Sequence, residues 1–451
     1  MSDSIVKVRG MQDILPETHN YFTFLKKVTR HEFRKNGFRR ISTPILEKKE
    51  LFTRAVGEGT DIVDKEMYNL IDKKGRDLVM KPESTAGIMR AYIENDMQSL
   101  AQPVYLYYVE PHFRYDRPQK GRYRQFHQIG AEIIGEIDPI LDAELIYIGY
   151  TILNKIGLAG DFKVKINSIG TTKDRAKYLE ELVSFYTNKS ALLTEDGKRK
   201  LEVNPLRLLD TKDNDEIILA NEAPKITKFL KKESKEHYEK VKKYLDLLGV
   251  PYEEDHKLVR GLDYYCHTVW EFVDNSGRSQ DAFGGGGRYD GLAKTIGNKD
   301  EIPAVGFAMG AERLMRAMID KGISIKSKDK IDLYFIQLGD EAKEVVFPLS
   351  LMAREKGIRA LSSLGTPSLK VQLKKANRIN ARYVVIVGVM EARNGKLQLR
   401  DMDAGTQEEI EKDKLIDYII SKIGSDKLDF YDPSKDLIID TPVIEEEKVE
   451  A

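Results

Sequence analysis

The chain has 451 residues, 41% of them apolar with 33 glycines besides, a composition that supports about three globular cores and excludes a disordered, collagenous or disulfide-stapled protein. Lysine plus arginine and aspartate plus glutamate both number 73, so any polyanion must be met by local patches and not by net charge. The single cysteine, Cys266, cannot make an internal disulfide and reads as cytoplasmic; the longest apolar run, 383–390, is too short for a bilayer, and the N-terminus lacks the apolar core of a secretion signal.

In chain order, residues 17–36 predict a helix, with Tyr21, Phe22, Leu25, Val28 and Phe33 on one broad face and Gly37 to stop it. The extended segment RRISTPILE follows. Pro44 cannot donate to a ladder, so this strand belongs at an edge or an interface. Residues 104–114 and 123–135 predict a hairpin whose loop holds Arg114, Arg117, Lys120, Arg122 and Arg124 against Asp116. From about 170 to 255 the pattern turns helical and lysine-rich, as in an insertion into a sheet domain. Its segment 225–243 has eight lysines against three glutamates and reads as a solvated face. Strands are expected at 268–273 and at 304–309, the second running into a helix from Gly310 to Ile319.

A linker at 326–330 precedes clean alternation: strand 331–337, helix 340–356, strand 359–363, helix 367–379, strands 383–388 and 396–402, and helix 407–423. That is a small α/β domain with its own core, at 331–424. The stretch 425–451 carries nine acids against three lysines and reads as a flexible acidic tail.

Four constellations carry chemistry. In the hairpin, Arg124, Gln128 and Glu132 share one face of the second strand, and Glu110, His112 and Arg114 share a face of the first. A ligand-binding face and a solvent face both fit, because Ile129, Ala131 and Tyr123 opposite are not strongly core-like. LVRGLDYYCHT (258–268) predicts a glycine-containing strand bearing Arg260, Asp263, Tyr264 and Tyr265. GGGGRYDGL (284–292) is neither a Walker loop nor a dinucleotide fingerprint; it is a turn or a place where backbone approaches a ligand. GFAMGAER (306–313) puts Arg313 in the first turn of a helix, where the dipole favours anions, so an anionic ligand such as phosphate would suit it.

With these residues in view, the chain resembles the class II aminoacyl-tRNA synthetases, and within them the histidyl-tRNA synthetase family, over roughly residues 5–424. Pro44 sits where the dimer-interface motif 1 has its proline. Residues 113–132 match motif 2, 306–313 match motif 3, 258–265 and 286–292 match two histidine signatures, and KPESTAG (81–87) matches a segment of the amino-acid pocket. The resemblance implies a catalytic domain on a mainly antiparallel sheet (1–325, with the helical insertion) and an anticodon-binding α/β domain. It implies a homodimer that joins histidine to ATP as histidyl-adenylate and then to the 3′ end of histidine tRNA, with Mg2+ accompanying ATP and no metal-binding side chains indicated.

Carried over position by position, it assigns Arg114 and Arg260 to the α-phosphate, with Arg260 also holding the substrate carboxylate. Arg313 takes the γ-phosphate, and Arg122 belongs to the ATP site. Glu83, Thr85 and Gln128 face the ammonium, Glu132 and Tyr265 the imidazole, with Tyr264 and the Arg288–Tyr289 pair in the same pocket. Arg117 and Gln119 meet the acceptor stem. Two departures stand out: Ser84 replaces a common glycine, and Gly284–Gly285 replace a commoner cysteine and alanine. A regulatory paralogue that senses histidine, and a bare RNA-binding module, are the competing readings. The retained arginines and the second domain weigh against both.

Overall fold

The structure, a computed structural model, describes residues 4–57, 60–117, 122–211, 213–276, 282–325, 330–363, 365 and 368–429. The chain forms two compact units, Met1–Ile325 and Lys326–Ala451. The first contains β1 (Arg39–Arg40), β2 (Leu46–Lys48), β3 (Tyr68–Ile71), β4 (Asp77–Met80), β5 (Val104–Phe113), β6 (Gln125–Ile134), β7 (Phe162–Ser168), β8 (Tyr252–Glu254), β9 (Cys266–Asp274), β10 (Ala282–Arg288) and β11 (Ala304–Gly310).

Eight of these strands make one sheet in the order β1-β5-β6-β11-β10-β9-β7-β8, parallel only at its two ends and antiparallel between them. A small second sheet, β2-β4-β3, carries the chain past Pro44, which is exposed. The hairpin strands β5 and β6 pair along their whole length, with Glu110 opposite Gln128 and Leu106 opposite Glu132. Directly opposed residues point to the same side. One face of the sheet therefore carries Tyr108, Gln128 and Glu132, and the other carries Tyr107, Ile129, Ala131 and Ile133.

That second face is the core. Ile129, Ala131 and Ile133 are fully buried against the helices Pro16–Lys35, Ile140–Leu153 and Ala311–Asp320, which contribute Phe22, Leu25, Phe33, Leu145, Ile152, Leu314 and Met318. The sequence alone left this face ambiguous because alanine is small and the isoleucines are few. Neighbouring strands supply the missing bulk with Phe272 and Phe307. Between β7 and β8 lie the helices Thr172–Thr187, Glu195–Val203, Asn214–Glu222 and Lys232–Leu247. Thr171 and Asp174 open the first with a reciprocal capping box, and the last buries Tyr238, Val241 and Leu245 in the sheet core.

Two expected elements are corrected. The run Gly284–Gly287 is neither turn nor loop but the middle of β10, laddered to β9 and β11. Conversely, residues 258–265 form no strand: they are irregular, with a bend at Gly261–Leu262 and a turn at Asp263–Tyr264, and the strand begins only at Cys266. With Gly261 and Asp263 in this stretch, turn chemistry outweighs the β-branched start.

The second unit holds β12 (Leu333–Gln337), β13 (Ala360–Ser362), β14 (Tyr383–Val387), β15 (Lys396–Asp401) and β16 (Gln407–Glu411) in the order β13-β12-β14-β15-β16. Helices Asp340–Glu355, Leu369–Arg378 and Leu415–Ile423 flank the sheet. The helix expected over 407–423 is real only from Leu415; its first five residues pair with β15 as a hairpin strand. Gly405, at φ +69°, makes the turn that permits it.

Candidate active site

On the polar face of the large sheet lies a cavity of about 630 Å³. Its floor is nearly free of side chains, because β10 and β11 contribute Gly284, Gly285, Gly306, Ala308 and Gly310. A Cβ on Gly285 would come 2.8 Å from Arg260 Nη1, one on Gly287 2.7 Å from the Tyr265 ring, and one on Gly306 would collide with the Glu132 carboxylate. The glycines therefore leave room for the side chains that lie across the strands.

Three of the expected residues enter from the hairpin and its base. Arg114, just past β5, donates from Nε to the carbonyl of Pro82 at 2.9 Å and lies over the Phe126 ring. Arg122 reaches Asp116 at 3.3 Å. Gln128 projects into the cavity, and its Oε1 is buried with no hydrogen-bond partner among the described residues. An unanswered carbonyl oxygen in a pocket is an invitation to a donor. Arg117 is exposed beyond the cavity, and Gln119 lies outside the described residues.

The segment before helix Thr85–Glu94 supplies the acidic wall. Glu83 accepts the backbone N–H groups of Thr85 (2.6 Å) and Ala86 (2.9 Å), capping the helix with a carboxylate where the dipole favours one. Burial still pushes its pKa up against these bonds. Thr85 in turn donates to Glu132 at 3.0 Å.

Arg260, in the irregular segment before β9, donates from Nη1 to Glu271 of β9 at 2.6 Å and faces the Tyr265 ring; its Nε is buried without a partner among the described residues. Tyr264 and Tyr265 pack ring against ring at 4.6 Å, and both also line the cavity. Arg313, the third residue of helix Ala311–Asp320, bonds the carbonyl of Ala282 at 2.7 Å.

Glu132 lies over Gly306 on the same face of the sheet, but it is buried and is not itself among the lining residues. Its carboxylate accepts from Tyr289 at 2.5 Å and from Thr85. Burial is the main cause that raises its pKa to about 8, with Glu83 adding to the rise and the two hydrogen bonds opposing it. Tyr289 is thus joined to the site through Glu132. Arg288 is not: its guanidinium is fully buried and spent on Asp142 (2.5 Å), Asp290 and the carbonyls of Glu136 and Asp138. The pair expected in one pocket is split because adjacent residues leave a strand on opposite sides.

Sequence reasoning missed Tyr108, Glu271, Glu312, Lys200 and Arg207, all on the cavity wall. Tyr108 was open to the parity argument applied to Glu110. Glu312 had its own signal, an acid in the first turn of a helix. It receives the His127 backbone N–H at 2.8 Å and His127 Nδ1 at 2.7 Å. Lys200 and Arg207 come from the helical insertion and carried no local signal.

An eight-stranded, mainly antiparallel sheet with arginines from a hairpin, an irregular segment and a helix start converging on one face is the catalytic architecture of a class II aminoacyl-tRNA synthetase. A family model described as histidyl-tRNA synthetase matches residues 10–314, and one described as anticodon binding domain matches 332–422. The chain is 44% identical over 409 residues to the histidine--tRNA ligase of Halothermothrix orenii, spanning 91% of this chain and 97% of that one. It is 42% identical over 415 residues to that of Bacillus subtilis, spanning 90% and 96%. The crystal structure of apo S. aureus histidyl-tRNA synthetase superposes with a TM-score of 0.77 at 36% identity, covering 92% of this chain and all of that one. The chain belongs to the histidyl-tRNA synthetase family.

Proposed function

We propose that this protein is a histidine--tRNA ligase: it activates histidine with ATP and transfers it to the 3′ end of histidine tRNA. The observation that carries the reading is the joining, in one cavity, of Arg114, Arg260 and Arg313 with the acceptors Glu83, Thr85 and Gln128. Cations and acceptors lining one cavity suit a substrate pair made of a triphosphate and an ammonium group.

In the first step the histidine carboxylate attacks the α-phosphorus of ATP, forming the mixed anhydride and releasing pyrophosphate. Charge builds on the non-bridging oxygens, and fixed guanidinium groups stabilise it without covalent help. Arg114 and Arg260 are assigned to that centre. Arg260 gives Nη1 to Glu271 while its Nε has no partner among the described residues, so part of its fork remains for carboxylate and phosphate. Arg313 and Arg122 are assigned to the outer phosphates and the nucleotide.

Among the described residues no group of three or more His, Cys, Asp or Glu side chains is placed to hold a metal. A Mg2+ would arrive on the nucleotide, as this ion commonly does; Glu271 is a carboxylate on the cavity wall that could meet it. When bound, Mg2+ supplies further charge neutralisation on the phosphates.

Gln128 Oε1, Glu83 and Thr85 receive the ammonium. Glu132, Tyr265, Tyr264 and Tyr289 recognise the imidazole, with Glu132 about 13 Å from Gln128 along an ideal strand. In the second step the terminal ribose hydroxyl of the tRNA attacks the carbonyl and AMP leaves. Arg117 and Gln119 are assigned to the acceptor stem, residues 331–424 to the anticodon, and the Pro44 segment, with Ile45 and Leu46 exposed beside it, to a two-fold dimer contact. No helix among the described residues is long and apolar enough to cross a membrane.

Charging of histidine tRNA with labelled histidine and ATP tests the reading. Histidine-dependent, tRNA-dependent incorporation is the expected result; histidine binding without incorporation would favour a sensor instead. Sedimentation as a monomer at micromolar concentration would refute the dimer.

A further inference from the structure

We propose that Ser84 and His112 are a buried positioning pair that fixes the ammonium-binding edge of the cavity; the proposal rests on the histidine-activating reading above. Ser84 Oγ lies 2.7 Å from His112 Nε2, and the two residues are 1% and 0% exposed. Neither lines the cavity. Both stand directly behind it.

The segment that leads into helix Thr85–Glu94 is fastened to β5 and its end at four points. The Phe113 N–H donates to the Lys81 carbonyl at 3.1 Å. Arg114 Nε donates to the Pro82 carbonyl at 2.9 Å, and Lys81 Nζ approaches Glu110 at 3.5 Å. These three hold residues 81 and 82. Among these four links, the Ser84–His112 bond is the one that reaches beyond Pro82, to the residue between Glu83 and Thr85.

That peptide matters because its neighbours point the other way, into the site. Glu83 is tied to the N–H groups of Thr85 and Ala86, and Thr85 Oγ1 to Glu132. A rotation at Ser84 therefore moves the ammonium acceptors and loosens Glu132 together. His112 is itself seated between Tyr108 and Phe126, both on the cavity wall, at ring distances of 6.2 and 5.8 Å.

The ring is a poor choice for packing alone. Its Nδ1 is buried and makes no hydrogen bond of good geometry among the described residues, with the Glu110 backbone in reach of the ring, so one nitrogen is poorly answered whichever tautomer forms. An apolar side chain would avoid that cost. Burial, reinforced by Lys81 and Arg114, keeps the imidazole neutral by holding its pKa well below the usual histidine range. A neutral ring retains an acceptor for the Ser84 hydroxyl. Serine at this position also replaces a glycine common in the family, and glycine would leave the ring nothing to bond.

The test is pyrophosphate exchange by the full-length protein with histidine and ATP varied separately, alongside thermal midpoints, for Ser84→Ala, His112→Gln, His112→Leu and the double variant Ser84→Ala/His112→Leu. A neutral buried hydrogen bond predicts that Ser84→Ala raises KM for histidine about 2- to 12-fold while KM for ATP stays within twofold. His112→Gln, which keeps an acceptor amide, should recover part of the loss. In the His112→Leu background Ser84→Ala should add little, since the bond is already gone. An unchanged histidine KM, or parallel losses for both substrates that track the thermal midpoint, would overturn the pair's positioning role. If Ser84→Ala does not fold, His112→Leu against His112→Gln decides on the same criterion. Glu83→Gln serves as the control. If it raises the histidine KM while Ser84→Ala does not, only the pair fails; if wild-type protein shows no histidine-dependent exchange, the functional reading fails.

Discussion

Glu132→Gln is the perturbation whose consequences the structure fixes most fully. With its pKa at about 8, Glu132 is protonated at pH 7 by about ten to one in the empty protein. A neutral imidazole entering beside it completes a pair that shares one proton, and the two groups titrate together. Above pH 8 the empty site has lost that proton, and binding neutral histidine must take one up. Wild-type KM for histidine should therefore rise toward tenfold per pH unit above 8, and the glutamine variant should lack this rise. Near pH 7 the variant loses a hydrogen bond with charged character, about 1.5–3 kcal/mol, so its histidine KM should be about 10- to 150-fold higher with ATP KM little changed.

Stability gives an independent reading of the same group. A carboxyl whose folded pKa is raised is favourable to folding when protonated, and that contribution is lost as pH rises from the unfolded value near 4.5 through about 8. Between pH 6 and 9 the added cost is about 2–3 kcal/mol. The glutamine variant escapes it and should gain on wild type over that interval in urea or thermal unfolding. A histidine KM indifferent to both the substitution and pH would refute the role of Glu132; a parallel stability profile for the two proteins would refute its buried, protonated state.

Further outcomes follow from the neighbouring residues. Arg260→Ala should abolish exchange with ATP binding largely kept, because a cation at the reacting phosphorus acts mainly in the transition state; near-normal exchange would remove it from the centre. Arg117→Ala should lower tRNA charging while exchange stays near normal, and the deficit should widen with salt; equal loss in both assays would place it in the amino-acid site. Arg288→Met leaves the buried Asp142 with His237, at 3.3 Å, as its remaining side-chain partner among the described residues and should cost about 3–5 kcal/mol in urea unfolding, with a much smaller cost when Asp142→Leu is added.

Much of the site was legible because motif residues fall at fixed positions along strands. The even-numbered face of β6 brought Gln128 to the cavity and Glu132 to a buried place on the same face, over Gly306. What the sequence concealed depends on tertiary neighbours. Ile129 and Ala131 are core only because β11 and three helices cover them. Gly284–Gly287 read as a turn because glycine disfavours strands, yet side chains crossing above the strand leave no room for a Cβ at Gly285 or Gly287. Residues 407–411 read as helix until β15 offered a partner. Arg288 looked like a site cation, and only the fold shows that Asp142, 146 positions away, already holds it. Lys200 and Arg207 reach the cavity from an insertion whose folding back over the sheet no local pattern announces.

Pyrophosphate exchange, measured with ATP and each of the twenty amino acids in turn, tests the central claim most directly. It requires only the chain and small molecules and reads the adenylation step itself. The cavity chemistry predicts rapid exchange with histidine and at most background exchange with the others, lost in Arg260→Ala and weakened for histidine in Glu132→Gln. No exchange with histidine, or equal exchange with an amino acid that lacks an imidazole, would contradict the account.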